Sequence, residues 1–306
     1  MDISIVIATW NNSARVRKTI NAILACDMPD SFDGLEIVVV DNNSTDDTAT
    51  VLREFESDPR VVPVFEPKQG LSEARNAGIQ AAMGRLVLFA DDDITPRPQW
   101  IRTYWDAFRF MEKPCFFGGA LESEFEGKPL ADEFLKYAPA SITGIDFGPK
   151  DRELGEKEEF LAANWAVPMA DLRSTGGFDE TLGLKANAMG AAGEETALQQ
   201  QLRERGLSAM YLADAWVAHF VPKRKTSLRH IGERWEMYGA YVGRKISIDY
   251  SGPRIGIYPR YLVRQYCSEL VKSLAWRFLS KRRSCRAYLE ARLRRGIMRA
   301  FRDPEH

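Results

Sequence analysis

Three adjacent aspartates, Asp91, Asp92 and Asp93, are the residues whose type and spacing most clearly indicate chemistry. They follow an apolar run at 85–90, which is typical of a buried strand. Adjacent carboxylates repel one another and lose hydration at the end of such a strand, and a divalent cation relieves both costs. The run therefore predicts a site for Mg²⁺ or Mn²⁺, which carboxylates bind together with phosphate oxygens and water. The alternative is an acidic turn exposed to solvent.

Two further segments offer groups that suit a nucleotide. Asp41 ends an apolar run at 35–40, so its carboxylate could accept hydrogen bonds from a base or a ribose. Arg75 lies in the helical segment 70–78, where its guanidinium could pair with a phosphate or a base carbonyl. The alternatives are an Asx or ST turn after Asp41, with Ser44 and Asp46 capping the next helix, and an ordinary solvent-facing arginine at position 75.

A pair of glutamates, Glu194 and Glu195, begins a predicted helix after a loop that contains Gly190 and Gly193. A carboxylate beside a mobile cleft can act as a general base. Acids at a helix N-terminus also stabilise the helix dipole without any catalytic role. The residues alone therefore leave both interpretations open.

His219 ends an apolar strand and is followed by three cations, Lys223, Arg224 and Lys225. The imidazole could complete a metal shell or contact a diphosphate, or it could be a core histidine with a backbone partner. The three cations could stabilise a leaving diphosphate.

The candidate residues must be positioned by helices and strands. In the first 120 residues, strand-like apolar runs alternate with segments of helical periodicity. Continuous apolar runs, typical of strands covered on both faces, occur at 3–8, 35–40, 61–65 and 85–90. Helical periodicity fills 13–25, 46–56 and 71–82. The alternation predicts an α/β fold with a Rossmann-like, mostly parallel sheet flanked by helices. The loops that carry the aspartates follow strands and are expected at one edge of this sheet.

The second half of the chain is less regular. Its predicted helices are 98–111, 194–205, 227–248, 259–280 and 283–302, and its predicted strands are 115–123 and two short ones around 209–220. Glycine and proline cluster near 250–258. This cluster predicts a boundary between a domain over 1–250 and a helical extension over 259–306.

Composition and charge exclude several classes of protein. The 306 residues are 45% hydrophobic and 28% charged, which excludes a disordered or fibrous protein. The net charge of −1 excludes a nucleic-acid-binding polycation, and we expect no nucleic-acid partner. The four cysteines are far apart, and neither a signal peptide nor a membrane-spanning run is visible. These features predict a cytoplasmic protein with reduced thiols.

Positive charge is concentrated in residues 260–302, which contain thirteen Arg or Lys and two Glu. Apolar pairs recur every four residues from Leu262 to Leu279, which predicts an amphipathic helix. One interpretation is a peripheral contact of 259–302 with an anionic membrane at its inner face. The other is a helical hairpin whose apolar stripe packs on the rest of the chain or on a second subunit.

Taken together, the motifs resemble those of inverting glycosyltransferases of family two, which have the GT-A fold. The resemblance covers about residues 1–240 and rests on SIVIATWNN, VVVDNNSTDDT, GLSEARNAGI, LFADDDITP, GGFDE, GEETAL and the later His219. It implies a catalytic domain over 1–250, with a nucleotide-binding half at about 1–120 and an acceptor half at about 121–250. Ala8 stands where the family usually has proline, and Glu195 where it usually has the aspartate of a Glu-Asp pair.

The resemblance also implies a role for each candidate residue. Asp41 would face the base. Asp91 and Asp93 would be the two ends of the metal-binding DxD element, with Asp93 favoured as the direct ligand. By role, the implied residues are Thr9, Asp41 and Arg75 for the nucleotide, Asp91, Asp93 and His219 for Mg²⁺ or Mn²⁺, and Glu195 or Glu194 for the catalytic base. Asp92 is a further candidate for the nucleotide, and Lys223 and Arg224 are candidates for the diphosphate because of their charge.

The implied reaction is a metal-dependent hexosyl transfer with inversion. The donor would be a nucleotide-sugar, with a UDP-sugar favoured, and the acceptor a glycan or a lipid-linked glycan in cell-surface polysaccharide or glycan synthesis. One alternative is a nucleotide-sugar-binding module with weak catalysis, which the replacement of Asp by Glu195 leaves open. A nucleotidyltransferase is disfavoured because the chain has no early glycine-rich phosphate loop, and a glycosidase would not explain the nucleotide-type motifs.

Overall fold

The computed structural model describes residues 1–128, 131–182 and 193–302. Within them the strands, numbered in chain order, are β1 Ile3–Thr9, β2 Leu35–Asp41, β3 Val61–Phe65, β4 Leu86–Asp91, β5 Ile94–Pro96, β6 Cys115–Phe125, β7 Arg152–Glu153, β8 Asn164–Pro168, β9 Ser208–Val221, β10 Arg254–Ile255 and β11 Tyr258–Pro259. The helices are α1 Ser13–Leu24, α2 Thr48–Arg53, α3 Leu71–Ala81, α4 Trp100–Arg109, α5 Asp132–Leu135, α6 Ala140–Thr143, α7 Met169–Thr175, α8 Glu194–Glu204, α9 Leu228–Asp249, α10 Arg260–Trp276 and α11 Lys281–Arg302. A short 3₁₀ helix spans Lys223–Thr226.

The central sheet places the predicted strands side by side. Its strand order is β3-β2-β1-β4-β8-β6-β9-β5, with β7 beside β9. Strands β3, β2, β1 and β4 run parallel, and β8 continues the sheet antiparallel to β4. The register pairs Thr9 with Asp41 and Ala8 with Asp91. The carboxyl ends of β1, β2 and β4 therefore lie at one edge of the sheet, as predicted.

Both faces of the sheet are covered, which explains the continuous apolar runs. Along β1, Ile3, Ile5 and Ile7 pack into a core with α1, α2 and α4. Val6 points to the opposite face and packs into a second core with α3, α7 and α8. Burying each such side chain contributes about 1.5–3 kcal/mol. The predicted α/β fold, with a parallel centre flanked by helices, is confirmed.

Two predicted elements differ from the structure. Residues 208–221 form the single strand β9, whose two ends pair with β7 and β5. Exposed Asp214 interrupts the apolar pattern because it lies on the solvated side of a continuous strand. Helix α2 begins at Thr48 and not at residue 46, since the Asp46 carboxylate accepts a hydrogen bond from the Thr48 backbone N–H at 3.0 Å.

The described residues form two compact units. The first contains residues 1–124, 144–182 and 193–220, and the second contains 125–128, 131–143 and 221–302. In the second unit α11 packs along α9, and α10 packs against α11. A side chain at Gly296 of α11 would overlap the backbone carbonyl of Glu236 on α9, so glycine permits this close approach. The boundary predicted near 250–258 lies inside the second unit, and the division into a catalytic domain and an extension stays a prediction.

Two further sequence expectations concern disulfides and membrane spans. Cys26, Cys115, Cys267 and Cys285 form no disulfide bonds. Among the described residues no helix combines the length and the hydropathy needed to cross a bilayer.

Candidate active site

Three predicted metal ligands from distant parts of the chain come together at the sheet edge. Asp91 ends β4, while His219 lies on β9, where it pairs in register with Ile94. The Phe220 N–H donates to the Asp93 carbonyl at 2.9 Å, which fixes this pairing. His219 Nε2 lies 3.2 Å from Asp93 Oδ1, and one ligand atom from each of the three residues falls within 4.8 Å of the others.

This donor set fits a divalent cation. His219 is buried, whereas Asp91 and Asp93 are only partly buried, so an ion held there could also take ligands from outside the protein. Carboxylate oxygens suit both Mg²⁺ and Mn²⁺, but an imidazole nitrogen is a poor partner for Mg²⁺. The two oxygens and one nitrogen therefore fit Mn²⁺ better than Mg²⁺.

Asp92 turns away from this cluster and towards the loop after β1. Thr9 Oγ1 donates to one carboxylate oxygen at 2.6 Å, and Asn12 Nδ2 donates to the other at 2.7 Å. Loss of hydration on burial raises the pKa of Asp92 to about 7, with a smaller contribution from repulsion by Asp93. The Asp92 carboxylate thus ties the β4 loop to the β1 loop. Sequence reasoning missed Asn12, although a polar residue in the loop after a buried strand was the available signal.

Arg75 is buried on α3, with 4% of its side chain exposed, so it is not the solvent-facing arginine of the alternative interpretation. Its Nη1 lies 3.1 Å from a carboxylate oxygen of Glu194 and 3.1 Å from one of Glu195. Its Nη2 lies 3.6 Å from Asp91. One guanidinium therefore joins the glutamate pair to the metal-ligand cluster. The predicted contact of Arg75 with a nucleotide stays a prediction.

Close packing of α3 on the sheet brings Arg75 to this position. A side chain at Gly78, one turn further along α3, would overlap the Val6 side chain of β1. Asn76 also fixes α3 from its other side, because its amide donates to the Phe178 carbonyl at 2.9 Å and accepts from the Phe178 N–H at 2.8 Å. The GGFDE segment is thus held beside the helix that carries Arg75.

The glutamate pair starts α8, as predicted, and its two members have different surroundings. Gly193 precedes the helix at φ 121°, a conformation that favours glycine. Glu194 is buried, and the Glu195 side chain is 24% exposed. Burial raises the pKa of Glu195 to about 8, and repulsion from Glu194 contributes less to this increase. The positive charge of Arg75 opposes both effects. Gly190 lies outside the described residues.

Asp41 is buried beside Thr9 at the end of β2. Its Oδ1 accepts from the Ser44 N–H at 2.9 Å, which is the local turn that the alternative interpretation predicted. The next residue, Asn42, donates to the Lys68 carbonyl at 2.7 Å and accepts from the Gly70 N–H at 2.8 Å. Asn42, which sequence reasoning missed, therefore connects the β2 loop to the start of α3.

Asn164, Lys223 and Arg224 lie in other parts of the structure. Asn164 is a core residue, since its amide donates to the Ala120 and Ala215 carbonyls at 2.8 and 2.7 Å. Lys223 and Arg224 belong to the 3₁₀ helix of the second unit, and their predicted contact with a diphosphate stays a prediction.

Comparison with known proteins agrees with the motifs at this edge. Residues 4–130, which include β1, β2, β4, Arg75 and the three aspartates, match the family described as "Glycosyl transferase family 2". Over these residues the chain is similar to this family. A relative from Campylobacter jejuni, GalNAc(5)-diNAcBac-PP-undecaprenol beta-1,3-glucosyltransferase, is 35% identical over 171 residues, which are 52% of this chain and 54% of the relative.

A second relative extends further along the chain. Validoxylamine A glucosyltransferase from Streptomyces hygroscopicus subsp. jinggangensis is 25% identical over 236 residues, which are 70% of this chain and 54% of the relative. The chain spans about a third to about half of the length of the curated relatives that it matches most strongly.

Solved structures share the fold of this chain at low sequence identity. The mannosyltransferase PcManGT from Pyrobaculum calidifontis, in complex with GDP-Man and Mn²⁺, has a TM-score of 0.60 at 18% identity, covering 99% of this chain and 88% of that one. S. aureus TarS 1–349 with UDP-GlcNAc has a TM-score of 0.55 at 16% identity, covering 100% and 93%. These likenesses establish the GT-A fold.

Proposed function

We propose that this chain is a metal-dependent, inverting glycosyltransferase that moves a hexosyl group from a nucleoside-diphosphate sugar to an acceptor hydroxyl. One observation carries the proposal. A cation site of two carboxylates and one imidazole shares the sheet edge with a separate glutamate pair, and Arg75 connects the two. This combination suits a reaction that removes a proton at one point and stabilises a leaving diphosphate at another.

Glu195 is the residue that we assign as the base. Its carboxylate is partly exposed and can meet an incoming hydroxyl, whereas Glu194 is buried against Arg75 and accepts from the Gly193 N–H at 3.1 Å. The raised pKa of Glu195 makes its carboxylate a stronger proton acceptor near neutral pH. Glu194 and Arg75 are then positioning residues, since they orient Glu195 without contacting the acceptor.

The reaction is a single displacement. The acceptor oxygen bonds to the anomeric carbon while the bond from that carbon to the diphosphate oxygen breaks, and the acceptor proton passes to Glu195. One displacement inverts the anomeric configuration, and no covalent enzyme intermediate forms. Thr9 and Asp41, at the ends of β1 and β2, would hold the nucleoside.

The leaving diphosphate gains negative charge. A divalent cation on Asp91, Asp93 and His219 would neutralise part of that charge. Asp92 keeps the flanking aspartates in place through its bonds to Thr9 and Asn12. Lys223 and Arg224 are proposed to add positive charge at the diphosphate.

The relatives support the substrate classes in this proposal. The structural neighbours were solved with GDP-Man or UDP-GlcNAc, which supports a nucleotide-sugar donor, and we favour a UDP-sugar. The name of the Campylobacter jejuni relative specifies an undecaprenol-linked acceptor. We therefore propose a glycan or lipid-linked glycan acceptor in cell-surface polysaccharide or glycan synthesis.

The test has two steps. The melting temperature of the protein is measured with UDP-, GDP- and dTDP-sugars, with and without Mn²⁺, and we expect stabilisation by one nucleotide class that increases with Mn²⁺. The selected donor is then incubated with Mn²⁺, and NMR follows its consumption and the anomeric configuration of the product. A glycosylated product or a released sugar whose anomeric configuration is inverted relative to the donor supports the proposal. Binding without turnover would indicate a nucleotide-sugar-binding module, and retained configuration would contradict the mechanism.

A further inference from the structure

The end of α10 and the turn after it expose apolar side chains that no other described element covers. Val271 and Leu274 are 65% and 66% exposed, and Phe278 and Leu279 in the turn are 90% and 78% exposed. Positions 271, 274 and 278 recur at the spacing of one helix face, so they extend as a single stripe into the turn. We refer to these four residues as the apolar tip.

The neighbouring helix uses its apolar residues differently. Cys285, Leu289 and Ile297 of α11 are buried, and α11 packs along α9 within the same unit. The sequence offered two interpretations of the basic tail, a packed hairpin and a membrane contact. The packed interpretation describes α11, whereas the apolar tip on α10 has no such partner among the described residues.

The apolar tip is surrounded by positive charge. Residues 264–286 contain seven Arg or Lys and one acid, Glu269, which pairs with Lys272 at 2.7 Å. Arg277 lies within the turn, and Lys281, Arg282 and Arg283 begin α11 directly after it, all four exposed. A partner for this surface must therefore accept apolar side chains and carry negative charge.

Two contacts between α10 and α11 span the turn and hold these groups together. Ser284 Oγ of α11 donates to the Ser273 carbonyl of α10 at 2.8 Å. The Arg283 guanidinium lies 4.5 Å from the centre of the Trp276 ring. These contacts join the two helices on either side of Phe278 and Leu279, so the apolar tip and the cations next to it in the chain occur on one surface.

We propose that the apolar tip docks on the surface of a membrane that contains anionic lipids. Phe278 and Leu279 would enter the boundary between headgroups and acyl chains, while Arg277 and the cations at 281–283 contact lipid phosphates. A second copy of the chain is a poorer partner, because a two-fold contact through this face would bring the same cations together. A nucleic acid would match the charge but would leave aliphatic Leu274 and Leu279 without a partner.

Vesicle binding of the full chain tests the proposal. Sedimentation with vesicles of phosphatidylcholine alone is compared with vesicles of equal parts phosphatidylcholine and phosphatidylglycerol. We expect binding only to the mixed vesicles, and weaker binding as salt increases. Phe278→Ser with Leu279→Ser should weaken it on the order of 100-fold, because two buried side chains are lost. Lys281→Gln, Arg282→Gln and Arg283→Gln together should weaken it by about 100-fold as well.

Matched variants separate the surface from general charge and apolarity. Lys18→Gln, Arg53→Gln and Arg109→Gln remove three exposed cations from the first unit, and Phe110→Ser with Met111→Ser changes another adjacent exposed pair. Both controls should bind vesicles like the unchanged protein. Unchanged circular dichroism and melting temperature of the tip variants will show that they fold.

Each of the following outcomes would overturn the proposal. They are equal binding to neutral and anionic vesicles, mixed-vesicle binding that survives the Phe278→Ser, Leu279→Ser change, and no binding to mixed vesicles, including the case of a dimer that this change dissociates. Binding to a single-stranded oligonucleotide in place of vesicles would identify a nucleic-acid surface and would likewise contradict it. None of these readouts depends on sugar transfer.

Discussion

Two charge clusters in this protein have opposite compositions. In the first unit one cation, Arg75, faces three carboxylates, those of Asp91, Glu194 and Glu195. In the second unit one buried carboxylate, Glu236, faces three cations, Arg292 at 2.9 Å, Arg299 at 2.9 Å and Arg295 at 3.6 Å. Each cluster joins elements that are distant in the sequence. The first leaves an excess of negative charge, and the second leaves an excess of positive charge.

The location of the excess charge decides what each cluster can do. Arg295 and Arg299 are about half exposed, so water solvates the surplus positive charge and the cluster serves to hold α11 on α9. At the sheet edge the surplus negative charge lies on partly or wholly buried carboxylates, where hydration is poor. That excess is relieved by a cation or a proton, which are the two species that the proposed reaction requires.

The largest expected effect tests the cation at the sheet edge. Asp93→Asn removes a charged ligand from the metal site, and transfer should fall by at least about 10³-fold, since bound metal supplies several kcal/mol of charge stabilisation. The Mn²⁺-dependent part of nucleotide binding should fall with it. Initial rates and calorimetric titration of the nucleotide with Mn²⁺ measure the two effects. Asp106→Asn on α4 is the matched control, and an equal loss in that variant would contradict the assignment.

The next effect tests the proton acceptor. Glu195→Gln keeps the shape of the side chain but cannot take a proton, so transfer should fall by roughly 10²–10³-fold. Nucleotide binding with Mn²⁺ should stay unchanged, unlike in Asp93→Asn. Glu204→Gln, at the other end of α8, should leave the rate unchanged. A fully active double variant, Glu194→Gln with Glu195→Gln, would remove the carboxylate base from the mechanism.

A pH profile sharpens the same assignment. The base must be deprotonated, so the rate should rise with pH through the pKa of Glu195, which burial raises to about 8. The acid limb of kcat/KM should therefore lie near pH 8, with about a tenfold loss per pH unit below it. It should be missing from the residual activity of Glu195→Gln. A rate that is flat between about pH 6 and 9 in the unchanged protein would argue against Glu195.

The smallest effects compare the two clusters directly through one chemical change. Glu236→Gln leaves three arginines without their carboxylate and should lower the free energy of unfolding by about 1–2 kcal/mol, a modest value because two of the arginines are half exposed. Glu195→Gln should be neutral or stabilising, because it removes a carboxylate whose ionisation the fold opposes. Urea unfolding of the metal-free protein measures both, with Glu233→Gln on α9 as control.

The raised pKa of Glu195 also predicts how the stability of the protein depends on pH. The folded-state pKa is raised above its unfolded value, so between about pH 4.5 and 8 the folded state holds a proton that the unfolded state has released. The stability of the unchanged protein should therefore decline across this window relative to that of Glu195→Gln. The opposite trend would show that Glu195 is stabilised as a carboxylate.

Much of the first unit could be predicted from the sequence, because its signals are local. Continuous apolar runs located the strands that end at Thr9, Asp41 and Asp91, and helical periodicity located the helices between them. Because these strands are parallel, their ends lie at one edge of the sheet. The two elements around 209–220 were wrong because exposed Asp214 resembles a break in a pattern that is in fact one long strand. The roles of Asn12 and Asn42 were missed, since their hydrogen bonds reach other loops.

The fold class, the family motifs and the positions of the candidate acids along the chain can all be read from the amino-acid sequence. Which charges meet depends on how the elements pack in three dimensions. The register of β5 against β9 brings His219 to Asp93, and the close approach of α3 to β1 carries Arg75 to Glu194 and Glu195. The physical reason is that periodicity reports which face of an element is buried, whereas contacts between side chains more than a hundred residues apart depend on how those elements pack.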